Sequence, residues 1–106
     1  MNIVIFITTA NKKEAGKISS ALVDKRLAAC VNIIPPVYSI FRWQGKVDKG
    51  KEYLLIVKSR KSLLPKLIKL VKSLHSYKVP EIIALPIIGG NKEYLDWLDE
   101  STRNPL

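Results

Sequence analysis

A single cysteine, Cys30, and a single histidine, His75, are the only soft metal donors of their kinds in this 106-residue chain. One cysteine cannot close an internal disulfide, which fits a reducing compartment. With one of each per chain there is neither zinc-finger spacing nor a pair of histidines on one helix, so any soft metal site must be sparse or shared between copies. No apolar run approaches the ~20 residues that span a bilayer. The opening MNIVIFITTANKK has no basic segment ahead of its short apolar stretch, so it does not read as a signal peptide, and the expected compartment is the cytoplasm. Serine-elbow, phosphate-loop and dinucleotide-binding motifs are all missing, which removes the commonest enzyme constellations.

Acidic residues are also scarce: nine against eighteen basic ones, for a formal charge of +9. Such a balance is met in domains that bind nucleic acid, phosphate ligands or acidic membranes. Fourteen of the basic residues are lysine, however, and base-specific readers rely on the planar fork of arginine. The basic-Gly-aromatic signature of RNA-recognition strands is absent too, since the candidate strand EYLLIVKS has an aliphatic centre. A solvated lysine surface is the simpler reading, and nucleic acid is not an expected partner. The balance of hydrophobic and charged residues is that of an ordinary globular chain, and residues 1–106 read as one domain.

The β-branched run Ile3 to Thr8 predicts a buried strand. Asn11 and Glu14 have capping-box spacing, and Ala15, Ile18 and Leu22 form a helical stripe that should end near Arg26. Residues 28–43 resume strand character, with Pro35-Pro36 predicting a bulge. QGKVDKGK reads as a turn and EYLLIVKS as the returning strand. Ser62 is placed to cap a second helix, with Pro65 in its first turn and Leu64, Leu67, Ile68, Val71 and Leu74 on one face. Glu81 to Ile88 reads as the fourth strand, and a tail helix with Tyr94, Leu95, Trp97 and Leu98 as burial candidates follows. The order predicts an α+β, ferredoxin-like split βαβ sandwich with a C-terminal tail helix. Strands apolar on both sides, with both helices on one face, leave the other face to be covered by self-association. Trp97 is expected to pack against the sheet or a neighbouring subunit, so that Trp97→Ala costs ~3–5 kcal/mol.

Candidate functional residues gather around SLHSYKVPEIIALPI, residues 73–87. His75 ends the second helix, where it can ligate a divalent transition metal, shuttle a proton or cap carbonyls. Glu81 is open to being a ligand, an acid/base or the partner of a lysine. Cys30 is either a small buried hydrophobe or, if its thiolate is favoured, a metal donor. Gly89-Gly90-Asn91 offers backbone N–H groups to an anion, or simply a strand-to-helix turn with Asn91 as N-cap.

LAACVNIIPPVYSIFRWQGKV, EYLLIVKS, HSYKVPEIIALPIIGGN and YLDWL together resemble the CutA family of divalent-cation tolerance proteins, nearly end to end. The resemblance implies a tight homotrimer of PII-like architecture, with extended strands pairing between subunits and a cytoplasmic, non-enzymatic role in tolerance of copper and other divalent metals. It matches Cys30, His75 and Glu81 to the family's cysteine, histidine and glutamate as metal candidates. It matches Trp43, Lys58 and Tyr94 to residues lining the clefts between subunits. No obligatory cofactor is implied; the expected partners are further copies of the chain and a divalent cation such as copper, with no membrane. Lys78 departs from the pattern, because relatives often carry glutamate or glutamine there, and a lysine would weaken cation binding. The alternative is a PII-like sensor of a small ligand or anion acting through the clefts, using Lys58 and the Gly89-Gly90 turn.

Overall fold

Isoleucines at every second position from 3 to 7 decide which way the sheet faces, because alternate side chains of a strand share a face. In the computed structural model, which describes residues 1–105, they lie in β1 (Asn2–Thr9). The chain continues through α1 (Lys12–Asp24), β2 (Cys30–Trp43), β3 (Lys46–Arg60), a 3-10 turn (Lys61–Leu63), α2 (Leu64–Leu74), β4 (Ile82–Pro86) and α3 (Lys92–Ser101). Strand order is β2-β3-β1-β4, antiparallel at every pairing. This is the expected ferredoxin-like α+β sandwich.

Ile5 faces Val57 across the β1–β3 ladder and Ile7 faces Leu55, and all four are buried beneath α1 and α2 with Ile18, Leu22, Leu67 and Val71. At ~1.5–3 kcal/mol for each large aliphatic side chain removed from water, this layer is the principal source of stability. The opposite face carries Val4, Phe6, Leu54 and Ile56 at its centre and Ile83 and Leu85 on β4, none of them fully buried. Only α3 packs there, at the end marked by Arg60: the Arg60 guanidinium donates from Nε to Thr102 Oγ1 (2.9 Å) and from Nη2 to the Thr102 carbonyl (2.7 Å).

Local rules explain most boundaries. Asn11 Oδ1 accepts from the Glu14 N–H at 2.8 Å, as the cap spacing predicts. Asn91 Oδ1 likewise accepts from the Glu93 N–H at 3.0 Å, so Asn91 is an N-cap. The β2–β3 register slips between Ile34 and Val37, where Pro35 and Pro36 have no N–H to offer the ladder.

Four expectations need correction. The polar stretch 44–51 is not a long turn: β3 begins at Lys46 and only Gln44 (φ 49°) and Gly45 (φ 77°) turn the chain, in the left-handed pair that a two-residue hairpin requires. Ladder pairing overrides the poor strand propensity of Asp48, Lys49 and Gly50. Ser62 does not cap α2; Leu63 holds the N-cap position without a side-chain hydrogen bond, and Pro65 sits in the first turn. β4 is shorter than expected at both ends, running from Ile82 to Pro86, so Glu81 lies just before it. Of the four tail-helix candidates only Leu98 is fully buried, because Trp97 remains 44% exposed on its own chain and stacks on Tyr94 with ring centroids 5.3 Å apart.

Arg26 carries the left-handed conformation (φ 58°) that closes α1, with the Leu27 N–H reaching the Leu22 carbonyl (2.9 Å) and the Arg26 N–H reaching that of Val23 (3.0 Å). A side chain there costs ~1–2 kcal/mol that glycine avoids, partly offset by the greater freedom of glycine in the unfolded chain. Arg26→Gly is therefore expected to raise stability by about 0.5–1 kcal/mol, read as a higher melting temperature. A lower one would mean that Arg26 makes a contact worth more than the strain.

Candidate functional site

The sheet register sorts the candidate residues before any side chain is considered. Cys30 is directly opposite Lys58, which is opposite Val4, so these side chains stand on the open face. Lys58 Nζ donates to Asn32 Oδ1, two residues along β2 from Cys30. Tyr94 of α3 closes this corner: burial, and then the Cys30 side chain beside it, hold the Tyr94 hydroxyl above its ordinary pKa. One cluster therefore contains Cys30, Lys58 and Tyr94, with Asn32 added by the structure. Periodicity gives no hint of Asn32, because a single polar residue in a strand has no distinctive spacing.

A second cluster lies at the other end of the same face. Trp43, next to the hairpin turn, and Glu81, just before β4, both line an open groove of about 780 Å³ together with Tyr77, Lys78, Arg42 and Glu52. The Tyr77 hydroxyl donates to Glu52 Oε2 at 3.0 Å; burial, that bond and the Glu52 charge push the phenol up to about 12. Lys78 shares the groove with Glu81, and a positive charge there disfavours a cation. In register, the first cluster sits at Val4 and the second at Thr8, roughly 13 Å further along β1 at the ordinary rise of a strand.

His75 belongs to neither cluster. It is the C-cap of α2 on the helix side of the sheet, its N–H reaching the Val71 carbonyl, and its side chain is fully buried. Nε2 lies 2.7 Å from the Thr8 carbonyl, which can only accept, so Nε2 carries the proton. Nδ1 then accepts from the Tyr77 N–H at 3.0 Å. Both ring nitrogens are occupied, and a metal would have to displace one of these bonds. The sheet itself separates His75 from Cys30. Among the described residues no three His, Cys, Asp or Glu side chains are grouped to hold a metal ion.

What His75 does join is a buried tie between α1 and the loop after α2. Glu14 Oε2 accepts from the Ala10 N–H (2.9 Å) and the Ser76 hydroxyl (3.1 Å), and Oε1 accepts from the Ser76 N–H and lies 3.5 Å from His75 Nδ1. The capping-box spacing was the only sequence signal of Glu14, and it pointed to the helix end alone, not to Ser76 62 positions away. Burial by itself would raise the Glu14 carboxyl, but the bonds from Ala10 and Ser76 and the neighbouring His75 outweigh it and hold the group below its ordinary 4.5.

The geometry defines a ferredoxin-like domain whose distinctive residues stand at two ends of one uncovered sheet face. The family model described as CutA1 divalent ion tolerance protein matches residues 3–101, and the chain belongs to that family. The divalent-cation tolerance protein CutA of Thermus thermophilus is 55% identical over 102 residues, covering 96% of this chain and 99% of that one. A solved structure of the Thermus protein superposes with a TM-score of 0.95 over 96% of this chain and 99% of its own. The structure described as the periplasmic divalent cation tolerance protein CutA of Archaeoglobus fulgidus gives 0.94 at 44% identity, over 97% of this chain and all of that one. The chloroplastic CutA protein of Arabidopsis thaliana is 48% identical over 97% of this chain, which spans only 57% of that longer protein.

A carboxylate whose folded-state pKa is depressed contributes stability that is present above its unfolded pKa and lost as pH falls through the folded one. The denaturation midpoint at fixed protein concentration is therefore expected to fall as pH drops from about 5 toward 3, and Glu14→Gln to flatten part of that decline. An unchanged acid limb in the variant would show that Glu14 is not the group responsible. Glu14→Ala is expected to cost more at neutral pH, about 1–3 kcal/mol for each buried donor left unpaired.

Proposed function

We propose that this protein is a non-enzymatic, homotrimeric divalent-cation tolerance protein of the cytoplasm, whose working sites are clefts completed between subunits. One observation carries the reading: Trp43 and Glu81 stand at one end of an apolar sheet face, Cys30, Lys58 and Tyr94 at the other, and among the described residues nothing covers the face between them. The ribbon of β2 and β3 beyond the proline bulge exposes Tyr38 (78%) and Ile40 (75%), a poor surface for an isolated chain. Sedimentation at micromolar protein is expected to give a trimer, and a monomer would remove the clefts together with the mechanism.

Copper is the divalent ion best suited to test metal binding, since it tops the affinity order of the first-row series and accepts thiolate and imidazole donors. With no three-donor group among the described residues, a site recruits donors across the interface, and Cys30 is the softest donor on the open face. Copper titrations of the wild type, Cys30→Ala, Glu81→Ala and His75→Ala, each first checked to be trimeric, assign the ligands. Loss of binding is expected in Cys30→Ala and retention in His75→Ala, whose nitrogens are already engaged; proton competition should weaken binding as pH falls. Equal binding in all four proteins would dismiss these residues as ligands.

A second reading is a PII-like sensor of a small ligand or anion: Arg42 and Lys78 line the groove beside Trp43, against the carboxylates of Asp48, Glu52 and Glu81. Salt separates the two: anion capture weakens with ionic strength, whereas thiolate coordination responds mainly to pH.

A further inference from the structure

The formal charge of +9 is not spread evenly over the fold. The helical layer with its flanking turns, residues 10–26 and 61–77, holds nine of the eighteen basic residues and two of the nine acidic ones. One of those two, Glu14, is buried and committed to Ala10 and Ser76, which leaves Asp24 as the layer's exposed carboxylate. Lys66, Lys69 and Lys72 stand on the outer face of α2, and Lys12, Lys13 and Lys17 on that of α1, all exposed. Among the described residues none of these six is in an ion pair within 4.0 Å. The Glu14–Ser76 bonds place the start of α1 beside the end of α2, so the two rows, each spanning about 8–9 Å of helix, lie on neighbouring helices. Acidic residues gather elsewhere: α3 carries Glu93, Asp96, Asp99 and Glu100.

The chemistry of the layer narrows the partner. A membrane-surface helix needs an apolar face to sink between headgroups, and the apolar faces of α1 and α2 are consumed by the core. Single-stranded nucleic acid is gripped by aromatic stacking, yet the only exposed large hydrophobic side chain on either helix is Val23. What remains is a row of compact, mobile ammonium groups without a base-reading fork, which suits regularly spaced phosphodiesters. We infer that the α1–α2 face binds the phosphate backbone of double-stranded nucleic acid, without sequence preference. This surface lies on the opposite side of the sheet from the clefts, so it acts whether or not a metal is bound there.

The test is fluorescence anisotropy of a labelled 20-base-pair duplex of arbitrary sequence, titrated with wild-type protein, Lys66→Glu/Lys69→Glu and Lys46→Glu/Lys49→Glu. The last variant makes the same change of net charge on the ribbon, and each protein is first checked for unchanged assembly by sedimentation. About four phosphate contacts predict micromolar binding at 50 mM salt that weakens roughly 100-fold at 200 mM. The α2 variant is expected to lose at least about tenfold in affinity, with its salt slope reduced by about two, while the ribbon variant binds like the wild type. Equal losses in both variants would reduce the effect to net charge and overturn the proposal. So would no duplex binding at 50 mM salt, or binding confined to vesicles of phosphatidylserine and phosphatidylcholine.

Discussion

The register of β1 on β3 is the constraint on which the rest of the molecule depends. Pairing Ile5 with Val57 and Ile7 with Leu55 puts four large aliphatic side chains under the helices at once, and a slip of one residue would turn all of them to the other face. The Gln44-Gly45 hairpin sets β2 on β3, and β4 pairs with β1, so that every row of the sheet lines up with this central register. It sets Cys30 opposite Lys58, keeps both on the open face and brings Arg60 to the position where it holds Thr102 and the end of α3. The placement of the candidate residues is thus a consequence of core burial.

The two faces of the sheet obey different physics. The helix side is dry, and most of its polar exceptions are satisfied: Ser59 donates to the Leu27 carbonyl at 2.7 Å and Glu14 accepts from Ala10 and Ser76, while the buried Ser19 hydroxyl has no hydrogen-bond partner among the described residues. The open side is apolar but only half covered, with long strands running past the end of the sandwich into a ribbon. A surface of that kind is costly in water and economical at an interface, which is why the distinctive residues at its two ends read as halves of a shared site. His75, by contrast, belongs to the dry side. Its two hydrogen bonds and its stacking on Tyr77, with ring centroids 4.8 Å apart, describe a residue that anchors the loop carrying Tyr77, Lys78 and Glu81.

Charge marks a third surface, distinct from the core and from the open sheet face. The outer side of α1 and α2 is almost purely basic, while the tail helix is acidic and spends one lysine on a local pair, Lys92 to Asp96 at 2.7 Å. Segregation of this kind keeps the basic helical surface and the open sheet face electrostatically separate, since screening confines each field to about 8–10 Å at ordinary salt.

The amino-acid sequence by itself determined the element order, the split βαβ fold, the caps at Asn11 and Asn91 and the bulge at Pro35-Pro36. These follow from local backbone chemistry and from periodicity, both of which are written in neighbouring residues. Its motifs also determined the family. Only the tertiary structure decided that residues 46–51 are strand, because ladder hydrogen bonds come from β2 and not from local propensity. It alone separated Cys30 from His75 by a sheet, engaged both imidazole nitrogens, and tied Glu14 to Ser76 across 62 positions. Such facts depend on which groups meet after folding, and no spacing within a segment encodes the partner that a distant segment will bring.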